Sequence, residues 1–205
     1  MANKGEVYLR SDPLPGEASG GEHLAVVLSA PGYHAGGSAI LAPLRRTRAT
    51  AFRIEVRQHE FSPMPGHMSL DQDRVIDLGQ VKSVPTRRLT HKAGLVRSSA
   101  LQRVDQVLPQ QFQFDGPWEL RGCRWRLSAD APVERAVLIM NDDTLENERV
   151  AFFNAVAATD AGLGRELIIV HEAWLQEELE ALTEPEQVAL STFLASSFGV
   201  AWTAS

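Results

Sequence analysis

The sequence predicts a mixed β and α/β fold: a small β-barrel of five to seven strands with one helix, followed by a small α/β domain. Three observations predict it. Residues 1–112 are short apolar or alternating runs broken by Gly and Pro, the pattern of a small barrel. Residues 113–205 set longer apolar runs between helix-forming segments, the order of an α/β layer. Charge divides at the same point: the first stretch carries 14 Lys and Arg against 10 Asp and Glu, the second 6 Arg and no Lys against 16 Asp and Glu. The expected boundary falls near Gln113–Pro117, giving a barrel domain over 1–112 and an acidic α/β domain over 113–205.

Glu6–Arg10 opens the barrel as a strand and leads into a long loop, Ser11–Glu22, with two Pro and three Gly. Leu24–Ser29 and Ser38–Leu44 are continuous apolar runs, as expected of strands buried on both faces. Phe52-Arg53-Ile54-Glu55-Val56-Arg57 alternates apolar and charged residues, the period of a half-buried strand. Ser62-Pro63-Met64-Pro65-Gly66 is a turn-rich loop. Arg74–Val84 supplies one or two further strands, interrupted near Gly79. Ser98-Ser99 can cap a helix over about 98–109 in which Leu101, Val104 and Leu108 recur on one face.

In the second half, Arg124–Leu127 and Arg135–Met140 read as strands. Asn141-Asp142-Asp143-Thr144 can cap a helix, with Glu146 three residues after Asp143, that carries Val150, Phe153 and Val156. Leu167–Val170 is a buried strand, and helices are expected at Ala173–Leu182 and Glu184–Ser197. The last has a capping box, Thr183 with Glu186, and Pro185 in its first turn. The strand and helix order suggests a parallel pair.

Composition narrows the function classes. The chain has 44% hydrophobic and 22% charged residues, ordinary for a soluble globular protein, and 205 residues suffice for a sizeable core. No apolar stretch approaches the length of a membrane span and the N-terminus lacks the core of a signal peptide, so a cytoplasmic protein without a membrane partner is expected. Cys123 is the only cysteine, which excludes an internal disulfide and suits a small buried thiol. His59, His67 and His91 are irregularly spaced and do not suggest a metal site; no metal or other cofactor is expected. His34 lies in the Gly-rich stretch Pro31–Gly37, where an exposed side chain is expected. Arg87-Arg88 and Lys92 form a basic patch with little aromatic interleaving, more typical of a solvated surface than of a nucleic-acid site. Trp118, Trp125, Trp174 and Trp202 all lie in the second half and are expected in its core.

Read in order, the first half carries one further pattern. Gly5-Glu6-Val7-Tyr8 is followed by Asp12-Pro13, Gly16-Glu17 and a Gly20-Gly21 turn. Then come Ala25-Val26-Val27-Leu28-Ser29, Ala39-Ile40-Leu41-Ala42-Pro43-Leu44, and Val75-Ile76-Asp77-Leu78-Gly79-Gln80-Val81-Lys82-Ser83-Val84. This order resembles the MazF/PemK family of toxin-antitoxin ribonucleases from about Lys4 to Phe112; no family is recognised in the second half. The resemblance implies an SH3-like barrel, a symmetric homodimer, an antitoxin or other protein partner, and single-stranded RNA bound across the dimer. It further implies metal-independent cleavage by attack of a ribose 2′-hydroxyl on the adjacent phosphorus. The same barrel family includes the CcdB toxins, which act by binding DNA gyrase, so a catalytically silent binding module is the alternative.

In the family, an Arg after the Gly-rich loop and a Ser or Thr after the second apolar strand carry much of the chemistry. Aligned on Ala25–Ser29, this chain has His23 at the Arg position and Leu24 where a Pro usually follows. Aligned on Ala39–Leu44, it has Arg45 at the hydroxyl position. Asp77 and Gly79 stand where some relatives use basic and acidic residues, while Gln80 and Lys82 match the usual Gln and basic residue. The candidate catalytic pair is therefore His23 and Arg45, with Arg46, Thr47, Asp77, Gln80 and Lys82 as candidate substrate-binding residues. Either the roles are exchanged across one groove, with Arg45 gripping phosphate and His23 moving the proton, or the site has decayed to a loop-end histidine beside a solvated arginine cluster. Residues 113–205 are a candidate built-in regulator that covers the basic groove.

Overall fold

A computed structural model describes residues 2–10, 23–34, 36–50, 52–67, 69–112, 123–139, 152–159 and 162–200. The expected boundary at 113–117, the loop 11–22, the cap at 141–146, Trp118 and Trp202 lie outside the described residues.

The first half is a curled, nearly closed sheet. It contains β1 (Glu6–Arg10), β2 (His23–Val27), β3 (Ser38–Arg45), β4 (Arg53–Val56), β5 (Phe61–Pro63), β6 (Arg74–Asp77), β7 (Lys82–Pro85) and β8 (His91–Val96). Their order is β4-β6-β3-β2-β1-β8-β5, with β7 also paired to β3. That makes eight strands instead of five to seven: the turn-rich stretch at Ser62 still contributes β5, and Arg74–Val84 divides into β6 and β7 around a 3-10 turn, Leu78–Gln80. The continuous apolar runs are explained by burial on both faces. Val26, Leu28, Ile40, Ala42, Leu44 and Ile76 enter the barrel core, while Ala25, Val27, Ala39 and Leu41 pack with Tyr8 and Val84 on the opposite face. Gly94 in β8 lets β5 approach: a Cβ there would lie 2.3 Å from Phe61 Cζ and 2.7 Å from the Ser62 carbonyl.

The four-residue helix α1 (Pro31–His34) follows β2, and α2 (Ser98–Gln111) follows β8. Helix α2 buries Ala100, Val104 and Leu108. Its N-cap is Arg97, without a side-chain cap; Ser99 instead donates to Glu60 Oε1 at 2.7 Å.

The second half is a five-stranded sheet followed by a helix. Strands β9 (Cys123–Leu127), β10 (Arg135–Leu138), β11 (Phe152–Thr159), β12 (Gly162–His171) and β13 (Leu175–Ala181) stand in the order β12-β11-β10-β9-β13. Helix α3 (Glu184–Phe198) has the expected capping box and ends at Gly199 with φ of 64°, the left-handed conformation glycine adopts at little cost.

Three expectations for this half are corrected. Phe153 and Val156 lie on a strand and not a helix. The segment 175–181 is an edge strand after a 3-10 turn, Glu172–Trp174, because pairing with β9 outweighs the helix preference of its Glu and Leu residues. Every pairing among the described residues is antiparallel, so the parallel pair is absent there.

Alternation gives the second sheet two apolar faces. Leu127, Ala136, Leu138, Phe153, Ala155 and Val170 form one, flanked by half-buried Trp125 and Trp174. Val137, Ile139, Val156, Ala158 and Leu167 form the other, which merges with the barrel core together with Leu190, Leu194 and Phe198. The two halves thus bury their apolar faces against each other, the main driving force for holding them together. Polar contacts follow the same seam: Leu167 N–H donates to Ser83 Oγ at 2.9 Å, and Tyr33 O–H donates to the Arg165 carbonyl at 2.9 Å.

Candidate functional site

The strand register gathers several of the candidate residues into one row. Arg10 at the end of β1 pairs with His23 at the start of β2. Ala25 pairs with Pro43, so the same register carried outward by one alternation sets His23 opposite Arg45 at the end of β3. Arg45 pairs with Val75 of β6, and Arg53 of β4 pairs with Asp77 of β6. Side chains two apart on a strand share a face, and neighbouring strands lie about 4.8 Å apart. Arg10, His23 and Arg45 therefore line up across three strands on the face opposite the barrel core, and Asp77 with its partner Arg53 extends the row one alternation off, two residues from Val75 and Glu55.

Asp77 organises the row. It is 3% exposed, and its Oδ1 accepts from Gly79 N–H at 3.1 Å. Its Oδ2 receives no hydrogen bond and sits between two guanidiniums, 3.8 Å from Arg45 Nε and 3.5 Å from Arg53 Nε. A buried carboxylate needs such compensation. Arg45 is fixed a second time, because its Nη2 donates to Gln80 Oε1 from the Leu78–Gln80 turn. A guanidinium held at two points is pre-oriented as a fork for an oxyanion, and an imidazole on the adjacent strand is a group able to accept or donate a proton.

The remaining candidates stand apart. Arg46 is exposed and pairs with Asp71, which also binds Arg74 Nη2 at 2.9 Å. These three line, with His67, Leu9 and Leu24, a separate concavity of about 550 Å³. Thr47 is exposed in the bend after β3. Lys82 is half-buried opposite Leu41, on the face of Arg45 but four residues along β3, about 13 Å away at 3.3 Å per residue.

Further along the same face, Glu6 and Lys92 neutralise each other. Burial works against the Glu6 carboxylate, but bonds from Lys92 at 2.6 Å, Asn3 and Tyr8 outweigh it and hold its pKa to about 2. Burial and then Glu6 push the Tyr8 phenol up to about 12. His34 is buried, contrary to the exposure expected of it. Its Nε2 shares a 2.7 Å hydrogen bond with Ser29 Oγ, and burial pushes its pKa down. Acidic residues of the second half meet cations of their own half: Arg124 binds Glu180 and Glu186, and Arg126 binds Glu177.

Arg10 and Arg53 are members of the row that sequence reasoning missed. The only signal was their place at strand ends, and their link to Asp77 and His23 depends on register.

A family model described as PemK-like, MazF-like toxin of type II toxin-antitoxin system matches residues 3–112. Among solved structures, the Mycobacterium tuberculosis toxin MazF-mt6 is similar at 13% identity over 54% of this chain and 99% of its own, with a TM-score of 0.41. MazF from Deinococcus radiodurans is similar at 23% identity over 53% of this chain and 94% of its own, with a TM-score of 0.38. A MazE-MazF structure from the same organism is similar at 19% identity over 56% and 97%, again with 0.38. The comparison with curated proteins found no match.

Proposed function

The chain belongs to the PemK-like, MazF-like toxin family of type II toxin-antitoxin systems, and on that premise we propose that it is a metal-independent endoribonuclease acting on single-stranded RNA through a variant site. The observation that supports this reading is the β2–β3 register, which, carried outward from Ala25 and Pro43, brings His23 and Arg45, the residues expected at the family Arg and hydroxyl positions, to one sheet face.

Cleavage forms a bond from the ribose 2′-oxygen to phosphorus and breaks the bond to the 5′-oxygen. The 2′ proton is lost and the 5′-oxygen gains one, leaving a 2′,3′-cyclic phosphate and a 5′-hydroxyl. Arg45, oriented by Gln80 and Asp77, stabilises the negative charge on the phosphorane, and His23 moves a proton at one of the two oxygens. Arg46, Thr47 and Lys82 contact flanking nucleotides in this proposal. The barrel assembles as a homodimer, an antitoxin protein is its partner, and the cytoplasm is its compartment. Residues 1–112 act as the toxin domain.

The competing reading is a silent binding module, favoured by the loss of both standard catalytic residues. Incubating the full chain with mixed-sequence RNA in chelator and mapping the ends separates the two. Cyclic phosphate and 5′-hydroxyl ends are expected; intact RNA at high protein concentration would overturn the nuclease reading in favour of the binding one. His23→Arg, which restores the family residue, lowers the rate if the roles are exchanged and raises it or leaves it absent if the site has decayed.

A further inference from the structure

Asn154 is a polar side chain on an apolar surface. It sits on β11 among Val156 and Ala158, on the sheet face that packs into the barrel core, and it is 0% exposed. Burying an amide there is costly unless both its ends are bonded. Both are, and both to backbone of the other half: Nδ2 donates to the Leu78 carbonyl at 2.9 Å and Oδ1 accepts from Val81 N–H at 3.1 Å. The amide therefore spans the Leu78–Gln80 turn from end to end, bonding the residue that opens it and the residue that follows it. This turn holds Gln80, which receives Arg45, and follows directly on Asp77, which faces Arg45 and Arg53. The turn is also tied from the barrel side, where Leu78 N–H donates to the Phe52 carbonyl at 2.9 Å, next to Arg53.

From this geometry we infer that Asn154 is a positioning residue for Arg45 and that the second half is a fixed brace of the site, not a detachable cover over it. The inference rests on the ribonuclease reading for its effect on rate, but its structural content does not. A brace and a cover predict opposite signs. Loosening a cover exposes the site and raises activity; loosening a brace lets Gln80 and Asp77 drift, misaligns the Arg45 fork and lowers the rate. A misplacement of about 1 Å can cost on the order of a hundredfold.

The test compares the full chain with Asn154→Leu, which removes both bonds at similar volume, and with Tyr33→Phe. The latter removes an inter-half bond to the Arg165 carbonyl and a bond to Ser83 on β7, neither of them made to the Leu78–Gln80 turn. Amide hydrogen exchange is read at Gly79, whose N–H bonds Asp77 and not Asn154, and single-turnover RNA cleavage is measured in parallel. Asn154→Leu is expected to accelerate Gly79 exchange at least tenfold and to lower the cleavage rate about tenfold or more, while Tyr33→Phe does neither. Asn154→Ser, smaller and still polar, carries the same expectation and stands in should the leucine variant fail to fold. Equal Gly79 exchange in the Asn154 variants and Tyr33→Phe overturns the brace, as does a rise in cleavage rate. If the wild-type chain cuts no RNA, the nuclease reading has failed and the exchange result still decides the brace.

Discussion

Replacing Phe198 by alanine removes a ring that joins the two halves of the chain. Phe198 is fully buried at the last position of α3 and stacks on Phe112 from the end of α2, with centroids 5.6 Å apart and planes 11° from parallel. Both rings belong to the core that also holds Val26, Leu28, Leu108 and Leu194. Truncating a buried phenylalanine costs about 3–5 kcal/mol, and loss of the stacked partner argues for the upper part of that range. In a chain of this size 1 kcal/mol moves Tm by roughly 2–4 °C, so the expected fall is roughly 6–20 °C. Because the core is continuous, barrel and second sheet should melt in one shifted transition. Differential scanning calorimetry with far-UV circular dichroism as a second probe reads this directly. Two separate transitions, with one left at the wild-type temperature, would refute the shared core.

Two other groups give sharp expectations. Glu60 accepts from Arg103 at 2.9 and 2.7 Å and from Ser99 at 2.7 Å, and chiefly the Arg103 bonds hold its pKa to about 2. Stability from a depressed carboxylate is present above its unfolded pKa and lost as pH falls through the folded one. The advantage of wild type over Glu60→Gln in urea unfolding should therefore be full above about pH 4.5 and gone near pH 2; an advantage that grows on acidification contradicts this. Cys123 is buried, and burial together with Glu178 pushes its thiol up to about 11. At pH 8 on the order of one thiol in a thousand is ionised, so an aromatic disulfide reagent should label it slowly until denaturant is added. Labelling of the native protein at the rate of a free thiol would be the contrary result.

What was legible in the sequence was what local pattern determines. The apolar runs Leu24–Ser29 and Ser38–Leu44 announced strands because both of their faces are buried, and the Thr183–Glu186 box announced α3 because capping is a local bond. What was not legible depends on distant partners. The segment 175–181 has the composition of a helix and becomes a strand only because β9 offers it an edge and arginines for its glutamates. His34 looked like a loop residue because its partner, Ser29, lies across the turn. In the site, the His23 and Arg45 positions came from alignment with a known pattern. Arg10 and Arg53 were invisible because only register sets one against His23 and the other against Asp77. Asn154 gave no sign at all: its stretch reads as helical in the sequence, and its role depends on the distant turn it bonds.

The central claim is that Arg45, oriented by Gln80 and Asp77 beside His23, is the hydrogen-bond donor to the scissile phosphate in the proposed RNA-cleaving site. The most direct test is the single-turnover cleavage rate of Arg45→Ala against that of Arg48→Ala, an exposed neighbour three residues on. Losing a transition-state donor costs on the order of a hundredfold or more in rate, whereas losing a peripheral phosphate contact weakens binding and its salt dependence. Arg45→Ala should therefore fall about a hundredfold at saturating protein while Arg48→Ala recovers nearly the wild-type rate there. Equal rates in the two variants, or wild-type cleavage by Arg45→Ala, would contradict the claim.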